Sequence, residues 1–62
     1  MDNKHPLKRV AEAAEWLSVS RSKVYQLMDS QLLPYVKLGR SRRLRLEDLE
    51  KLVERNIVGE SS

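Results

Sequence analysis

Four arginines fall within six consecutive positions of this 62-residue chain. They are Arg40, Arg42, Arg43 and Arg45. Crowding like charges on one short segment opposes folding, so the cluster predicts a gain from binding a polyanionic partner. Charges on edge strands also keep sheets from pairing, but that role accounts for one or two cations and not for four. Arg43 has a further alternative, which is an internal brace to Glu12 or Glu15.

The positive charge is concentrated in the middle of the chain. Residues 20–45 hold seven basic residues and one acid, for a net charge of +6. Residues 1–19 are neutral overall and residues 46–62 have a net charge of −3, which leaves +3 for the whole chain. A small domain with its cations gathered in one segment has the electrostatic footprint of a nucleic-acid-binding protein.

Residues for other kinds of chemistry are scarce. The chain has no cysteine and a single histidine, His5, so it offers neither a disulfide nor a thiolate metal site. Glu47, Asp48 and Glu50 indicate the acidic start of a helix rather than a catalytic pair. We expect no enzyme, no metal and no cofactor. No apolar run could span a bilayer and no signal peptide follows Met1, so we expect a soluble, intracellular protein.

Apolar spacing divides the chain into short elements that would position these side chains. A first helix is predicted over about residues 9–17, and a second from the N-cap Ser20 to Asp29 or Ser30. Two strands with alternating apolar and polar residues follow, joined by a tight turn that begins at Gly39. A third helix is predicted over about residues 47–56. Residues 1–6 and the final GESS are expected to be loose.

Two short helices, a short turn and a hairpin indicate a winged helix-turn-helix. We predict an α+β, mostly helical fold: a helix-turn-helix, a two-stranded β-hairpin wing with one apolar and one cationic face, and a C-terminal helix. It would form a single domain over residues 1–62, with an ordered core of about 7–56. Trp16 is predicted to anchor the core, with a partner contact as the alternative. The other predicted core residues are Val10, Ala14, Leu17, Val19, Val24, Leu27, Met28, Leu33, Val36, Leu38, Leu44, Leu46, Leu49, Leu52 and Val53.

The exposed face of the second helix would carry side chains suited to DNA. Arg and Lys can donate to guanine O6 and N7, and Gln can pair with adenine, whereas Ser and Tyr hydroxyls often bind phosphate. A solvated helix face is the alternative. The predicted DNA-binding residues of this helix are Arg21, Ser22, Lys23, Tyr25 and Gln26, with Ser20 and Arg9 as possible backbone contacts.

The hairpin would bring its cations beside a neighbouring groove. Arg40 and Arg42 are predicted at or near its tip, where an arginine suits a narrow minor groove. Lys37, Arg43 and Arg45 would lie along the strands, near phosphates. If about six cations meet phosphates, log affinity should fall against log salt with a slope of about −5.

The segment VAEAAEWLSVSRSKVYQLMDSQLLPYVKLGRSRRLRLEDLEKLV contains E-x-A in the first helix, L-x-V-S-R-S-x-V-Y across the turn, and R-x-R ahead of E-D-L. In these motifs, residues 8–55 resemble the excisionase and MerR-like winged helix-turn-helix family, above all its small stand-alone phage members, including those of mycobacteriophages. The resemblance implies a recombination directionality factor. Such a protein binds double-stranded DNA at attachment-site repeats, bends it, and helps integrase excise the prophage in the cytoplasm of a bacterial host. Adjacent copies on DNA are further implied partners; a membrane and a small-molecule ligand are not.

In that family the second helix reads the major groove and the wing reads the minor groove or backbone, which implies the DNA-binding residues named above. Two positions depart from the family pattern. Arg9 stands where Thr or Ser usually forms a capping box with Glu12. Gln31 stands where Gly usually ends the second helix in a left-handed conformation. That conformation would cost Gln31 about 1 kcal/mol, so Gln31→Gly is predicted to raise the melting temperature.

Other functions remain open on the sequence. MerR-type regulators continue into a dimerising helix and an effector domain, whereas this chain ends soon after the third helix, which favours an architectural DNA-binding protein. A small phage transcriptional regulator would use the same DNA-binding face. An antitoxin or anti-repressor module would instead bind protein, and replacing Arg40 and Arg42 with alanine would then leave DNA affinity intact.

Overall fold

The computed structural model describes residues 7–59; the predicted loose residues 1–6 and the last three residues of the predicted loose tail lie outside this range. The elements in chain order are β1 (Leu7–Arg9), α1 (Val10–Leu17), α2 (Arg21–Asp29), β2 (Val36–Leu38), β3 (Ser41–Arg45) and α3 (Leu46–Arg55). Within residues 7–59, three helices and a three-stranded antiparallel sheet form an α+β winged helix-turn-helix, which confirms the predicted fold class.

The sheet has one strand more than the predicted hairpin. β1 and β2 both pair antiparallel with β3, so the strand order is β1-β3-β2. Arg9, predicted to begin the first helix, is the last residue of β1, and α1 begins at Val10. A run of three residues is too short to show a period of two, so its partner strand defines it. α3 begins at Leu46 and ends at Arg55, one residue earlier at each end than predicted.

The hairpin register overturns the predicted division into an apolar and a cationic face. Gly39 and Arg40 form a two-residue loop, and the register pairs Val36 with Arg43. Directly opposed residues share a face of the sheet, so Val36 lies on the face of Arg43, while Leu44 lies on the other. Leu44 is fully buried, and its face is therefore the one packed against the helices.

Both helices of the helix-turn-helix end on a left-handed residue that is not glycine. Ser18 (φ 60°) follows α1, and Gln31 (φ 63°) lies just beyond α2, as predicted for Gln31. The Gln31 N–H donates to the Met28 carbonyl at 3.0 Å, and the next N–H donates to the Leu27 carbonyl at 2.9 Å. The same two-bond pattern follows α1, and it is that of the Schellman motif. Each of these residues costs about 1–2 kcal/mol relative to glycine in the folded state.

The core lies between the three helices and one face of the sheet. Trp16, Val19, Leu38 and Val53 were predicted in it and are exposed, Trp16 to 43%. At 100° per residue, Trp16 lies about 110° from the centre of the buried stripe of α1, so it cannot reach the core. Leu17, Leu27 and Leu46 are half-buried against the core, and Val36 is half-buried in the sheet. The buried apolar cluster comprises Val10, Ala13, Ala14, Val24, Met28, Leu33, Leu44, Leu49 and Leu52, which confirms the other predicted positions and adds Ala13.

Candidate nucleic-acid interface

α2 is fixed at its start by a side-chain cap and along one face by the core. The Ser20 Oγ accepts a hydrogen bond from the Lys23 N–H at 3.1 Å, so the helix begins at Arg21, as predicted. Val24 and Met28 are buried, which turns the opposite face to solvent. The hydroxyl proton of Ser20 remains available for another acceptor, such as a phosphate. The five predicted DNA-binding side chains of α2 are all exposed: Arg21, Ser22, Lys23, Tyr25 and Gln26.

Arg40 occupies the tip of the hairpin. Gly39 has a positive φ (63°) at the first of the two loop positions and Arg40 holds the second, which is the pattern of a type II′ turn. Arg40 and Lys37 are exposed, and in the described part of the chain no carboxylate pairs with either. Both side chains are therefore free to meet an external anion.

Arg42 links the wing to α2. Its guanidinium carbon lies 4.7 Å from the centroid of the Tyr35 ring and 5.4 Å from that of Tyr25. Its Nη1 lies 3.4 Å from Oδ1 of Asp29. Tyr25 and Asp29 are exposed residues of α2, so the wing and the solvent-facing side of α2 form one continuous surface. Arg42 lies near the hairpin tip, in the residue pair next to the one that closes the loop, and its side chain is turned back onto the helix.

Arg45 is engaged at the start of α3. Its Nε donates to Oδ2 of Asp48, and its Nη2 donates to Oδ1 of the same carboxylate at 3.0 Å. Its Nη1 lies 3.7 Å from Oε2 of Glu47. Asp48 is buried, with 5% of its surface exposed. The hydrogen bonds and charge of Asp48 raise the pKa of Arg45. Arg45 thus fixes the corner between β3 and α3, and two acids largely compensate its charge.

Arg9 and Arg43 lie directly opposite each other in the pairing of β1 with β3. The Arg9 N–H donates to Glu12 Oε1 at 2.9 Å, which forms the half of the capping box that an arginine permits. This hydrogen bond lowers the pKa of Glu12, and the charges of Lys8, Arg9 and Arg43 lower it further, although desolvation opposes them. Arg43 is half-buried, and its Nη1 donates to the Arg42 carbonyl at 2.9 Å. Among the described residues Arg43 forms no ion pair with Glu12 or Glu15, so the alternative of a brace to the first helix is reduced to the electrostatic attraction between Arg43 and Glu12.

Two residues of this surface were missed in the sequence. Tyr35 forms one wall of the Arg42 site, and Asp29 supplies the carboxylate on α2. Tyr35 alternates with Val36 in a pattern typical of a strand, and nothing in that pattern indicates which arginine it contacts. The pairing of Arg42 with Lys37 places Arg42, rather than another arginine, beside Tyr35. That register follows from the length of the loop.

In residues 7–59, no group of three or more His, Cys, Asp or Glu side chains could hold a metal ion. Over the same range, no helix combines the length and apolar character needed to cross a bilayer.

Comparison with protein families identifies a domain family that covers most of the chain. The model of the helix-turn-helix domain family matches residues 9–57, which covers α1 through α3 and all the surface described above. This is a DNA-binding family that includes excisionase-like proteins. Searches of curated proteins and of solved structures returned no significant match.

Proposed function

Because this chain belongs to the helix-turn-helix domain family, we propose that it is a sequence-specific, DNA-bending protein that acts as a phage excisionase. In this role it binds repeats beside an attachment site and helps integrase excise the prophage. The family match supports binding to double-stranded DNA. The excisionase role rests on the resemblance of residues 8–55 to the small phage excisionases.

The continuity between α2 and the wing carries the proposal. Arg42 reaches from β3 to the exposed side of α2, where Tyr25 and Asp29 receive it. The polar face of α2 and the tip at Arg40 therefore border one surface. A helix in a major groove with a hairpin beside it contacts adjacent grooves of a single duplex. The helix and the hairpin together therefore contact more of the duplex than either element would alone.

The placement on DNA follows from exposure and side-chain chemistry. We place α2 in the major groove with Ser22 and Gln26, which lie opposite the buried side of the helix, toward base edges, and with Arg21 reaching them from the first turn. Lys23 and Tyr25 lie on the two flanks of that face, where phosphates pass. Arg40 would enter the minor groove, and Lys37 and Arg43 would lie along the wing. Arg9 and Ser20 would contact the DNA backbone. Arg42 and Arg45 would contribute less to DNA binding, because acidic residues of the protein already pair with them.

The free cations set the expected salt dependence. On this surface, Arg21, Lys23, Lys37 and Arg40 have no carboxylate partner within residues 7–59. Four phosphate contacts give a slope of log affinity against log salt of about −4, and the slope approaches about −5 if Arg9 and Arg43 join them. A slope near zero would remove the DNA-binding proposal.

Several copies would act together on one attachment site. A single module of this kind buries about 600–1,000 Å² on DNA, which is modest for a specific complex. Neighbouring copies on adjacent repeats gain affinity from their shared bending of the duplex. The exposed Trp16 lies on α1 and is available for a contact with integrase or with a neighbouring copy.

The proposed function is tested by recombination in vitro with the cognate integrase and attachment-site DNA. We expect the protein to stimulate excision, to protect sequence beside the attachment core, and to show both effects weakened in Arg40→Ala. Lys51→Ala is the matched control, because it removes an exposed cation on α3 outside the proposed face. Protection over a promoter, with excision unchanged by the protein, would instead identify a transcriptional regulator. Binding to integrase or another protein with no DNA affinity would identify a protein-binding module.

A further inference from the structure

Arg42 differs from the other cations of the wing in the number of partners that it already has. Its guanidinium lies over two tyrosine rings, at 4.7 Å and 5.4 Å from their centroids, and beside Asp29 at 3.4 Å. Its side chain is 28% exposed. Within residues 7–59, Arg40 has no such partners. Arg42 would have to leave three groups to reach a phosphate, whereas Arg40 would leave none.

We propose that Arg42 is a positioning residue, which fixes the angle between the wing and α2 and does not itself neutralise a phosphate. This inference rests on the proposed function, because it assumes that α2 and the wing bind the same duplex. It assigns to Tyr25, Tyr35 and Asp29 the role of holding one cation in place. The cluster of arginines therefore divides into contacts with DNA and parts of the scaffold.

The strand register turns Arg42 toward the helices. Arg42 and the fully buried Leu44 are two residues apart on β3, so their side chains leave the same face of the sheet. That face is packed against the helices, and Arg42 lies at the end of it nearest to the hairpin loop. Its backbone is also held, because Arg42 pairs with Lys37 of β2 in the sheet.

The wing depends on this side chain for its position. In the described residues, the backbones of α1 and α3 approach β3 more closely than the backbone of α2 approaches either strand of the hairpin. The distal part of the hairpin is therefore tied to α2 mainly through side chains. Arg42 joins Tyr25 on the helix to Tyr35, the residue before β2, and so connects the two elements directly.

The rings contribute more to this tie than the carboxylate does. Cation–π attraction strengthens as the partners are removed from water, and the Arg42 side chain is largely shielded. The Asp29 side chain is 68% exposed, and an exposed ion pair is weak because water and salt screen it. Asp29 also keeps a negative charge at the DNA face, which Arg42 partly offsets.

The test compares salt dependence between variants, using a duplex selected by the wild-type protein from a randomised pool. Arg40→Gln should make the slope of log affinity against log salt shallower by about 0.9, the value for one phosphate contact. Arg42→Gln should leave the slope unchanged and weaken binding by at most about 30-fold, the equivalent of two cation–π contacts. Tyr35→Leu should reproduce the Arg42→Gln result although it removes no charge, and Arg42→Lys should restore part of the affinity.

A measurement on the wild-type protein covers the case in which these variants fold poorly. Ring currents of Tyr25 and Tyr35 should shift the NMR signals of the Arg42 side-chain protons upfield in the free protein, and the shift should persist in the complex. Loss of the shift on binding would overturn the proposal, as would a slope made shallower by Arg42→Gln as much as by Arg40→Gln. A wild-type protein that selects no duplex would instead overturn the proposed function itself.

Discussion

Gln31 offers the sharpest test of how this small fold is stabilised. It adopts φ 63° at the end of α2, where its N–H and the next one close a Schellman motif. Glycine at this position removes about 1–2 kcal/mol of left-handed strain and loses about 0.4–1 kcal/mol through the greater freedom of the unfolded chain. The net gain for Gln31→Gly is therefore about 0.5–1 kcal/mol. For a domain of this size, that raises the melting temperature by about 2–8 °C.

Thermal unfolding followed by circular dichroism at 222 nm measures the effect. Gln31→Ala is the matched control, because it removes the side chain but keeps the strain of a residue with a Cβ, and it should give no increase. Ser18→Gly, at the equivalent position after α1, should give a gain of similar size, and the two changes should add because the sites are separate. An unchanged or lower melting temperature for Gln31→Gly, or equal increases for Gln31→Gly and Gln31→Ala, would refute the strain argument.

Three further results are expected. Glu12 has its pKa lowered from the ordinary value of 4.5, so its charged form stabilises the fold above pH 4.5, and that contribution is lost as the pH falls through the lowered pKa. Glu12→Gln should therefore be less stable than the wild-type protein at pH 7 and equally stable in acid, and a difference in stability that is constant with pH would contradict this. Trp16 is 43% exposed, so its fluorescence in the free protein should be red-shifted and readily quenched by acrylamide, whereas a blue, protected emission would place it in the core. Asp29→Asn removes a negative charge from the proposed DNA face and should tighten binding to an unselected duplex by about two- to fivefold at moderate salt. Weaker binding would show that the contact of Asp29 with Arg42 matters more to DNA binding than the repulsion of its charge.

The helices of this fold were predictable because their signals are local. Ser20 caps α2 in the sequence as in the structure, and Val24 and Met28 define its buried side. The left-handed Gln31 could be predicted because one position departed from the glycine that the family pattern contains. Ser18, in the same conformation, was not predicted because nothing local distinguishes it.

The sheet was less predictable because its pairing is not local. β1 is three residues long and exists only through its pairing with β3. The hairpin faces were wrongly assigned because a two-residue loop pairs Val36 with Arg43, and a shift of one position reverses every face. The same register decides which arginine turns to α2. The sequence therefore indicates that the wing is cationic, and tertiary structure decides that Arg42 and Arg45 are engaged while Arg40 has no carboxylate partner among residues 7–59.

The central claim is that α2 and the wing tip contact adjacent grooves of one duplex, and a tethered cleavage reagent tests it most directly. The chain has no cysteine, so Ser41→Cys at the exposed start of β3 gives a single attachment point for an iron–EDTA group. Guanine methylation interference on the same selected duplex locates the major-groove contacts of α2. We predict cleavage confined to the minor groove about half a helical turn, or about 5 base pairs, from those guanines. Cleavage that is absent or scattered along the duplex, while interference by α2 persists, would contradict the shared surface.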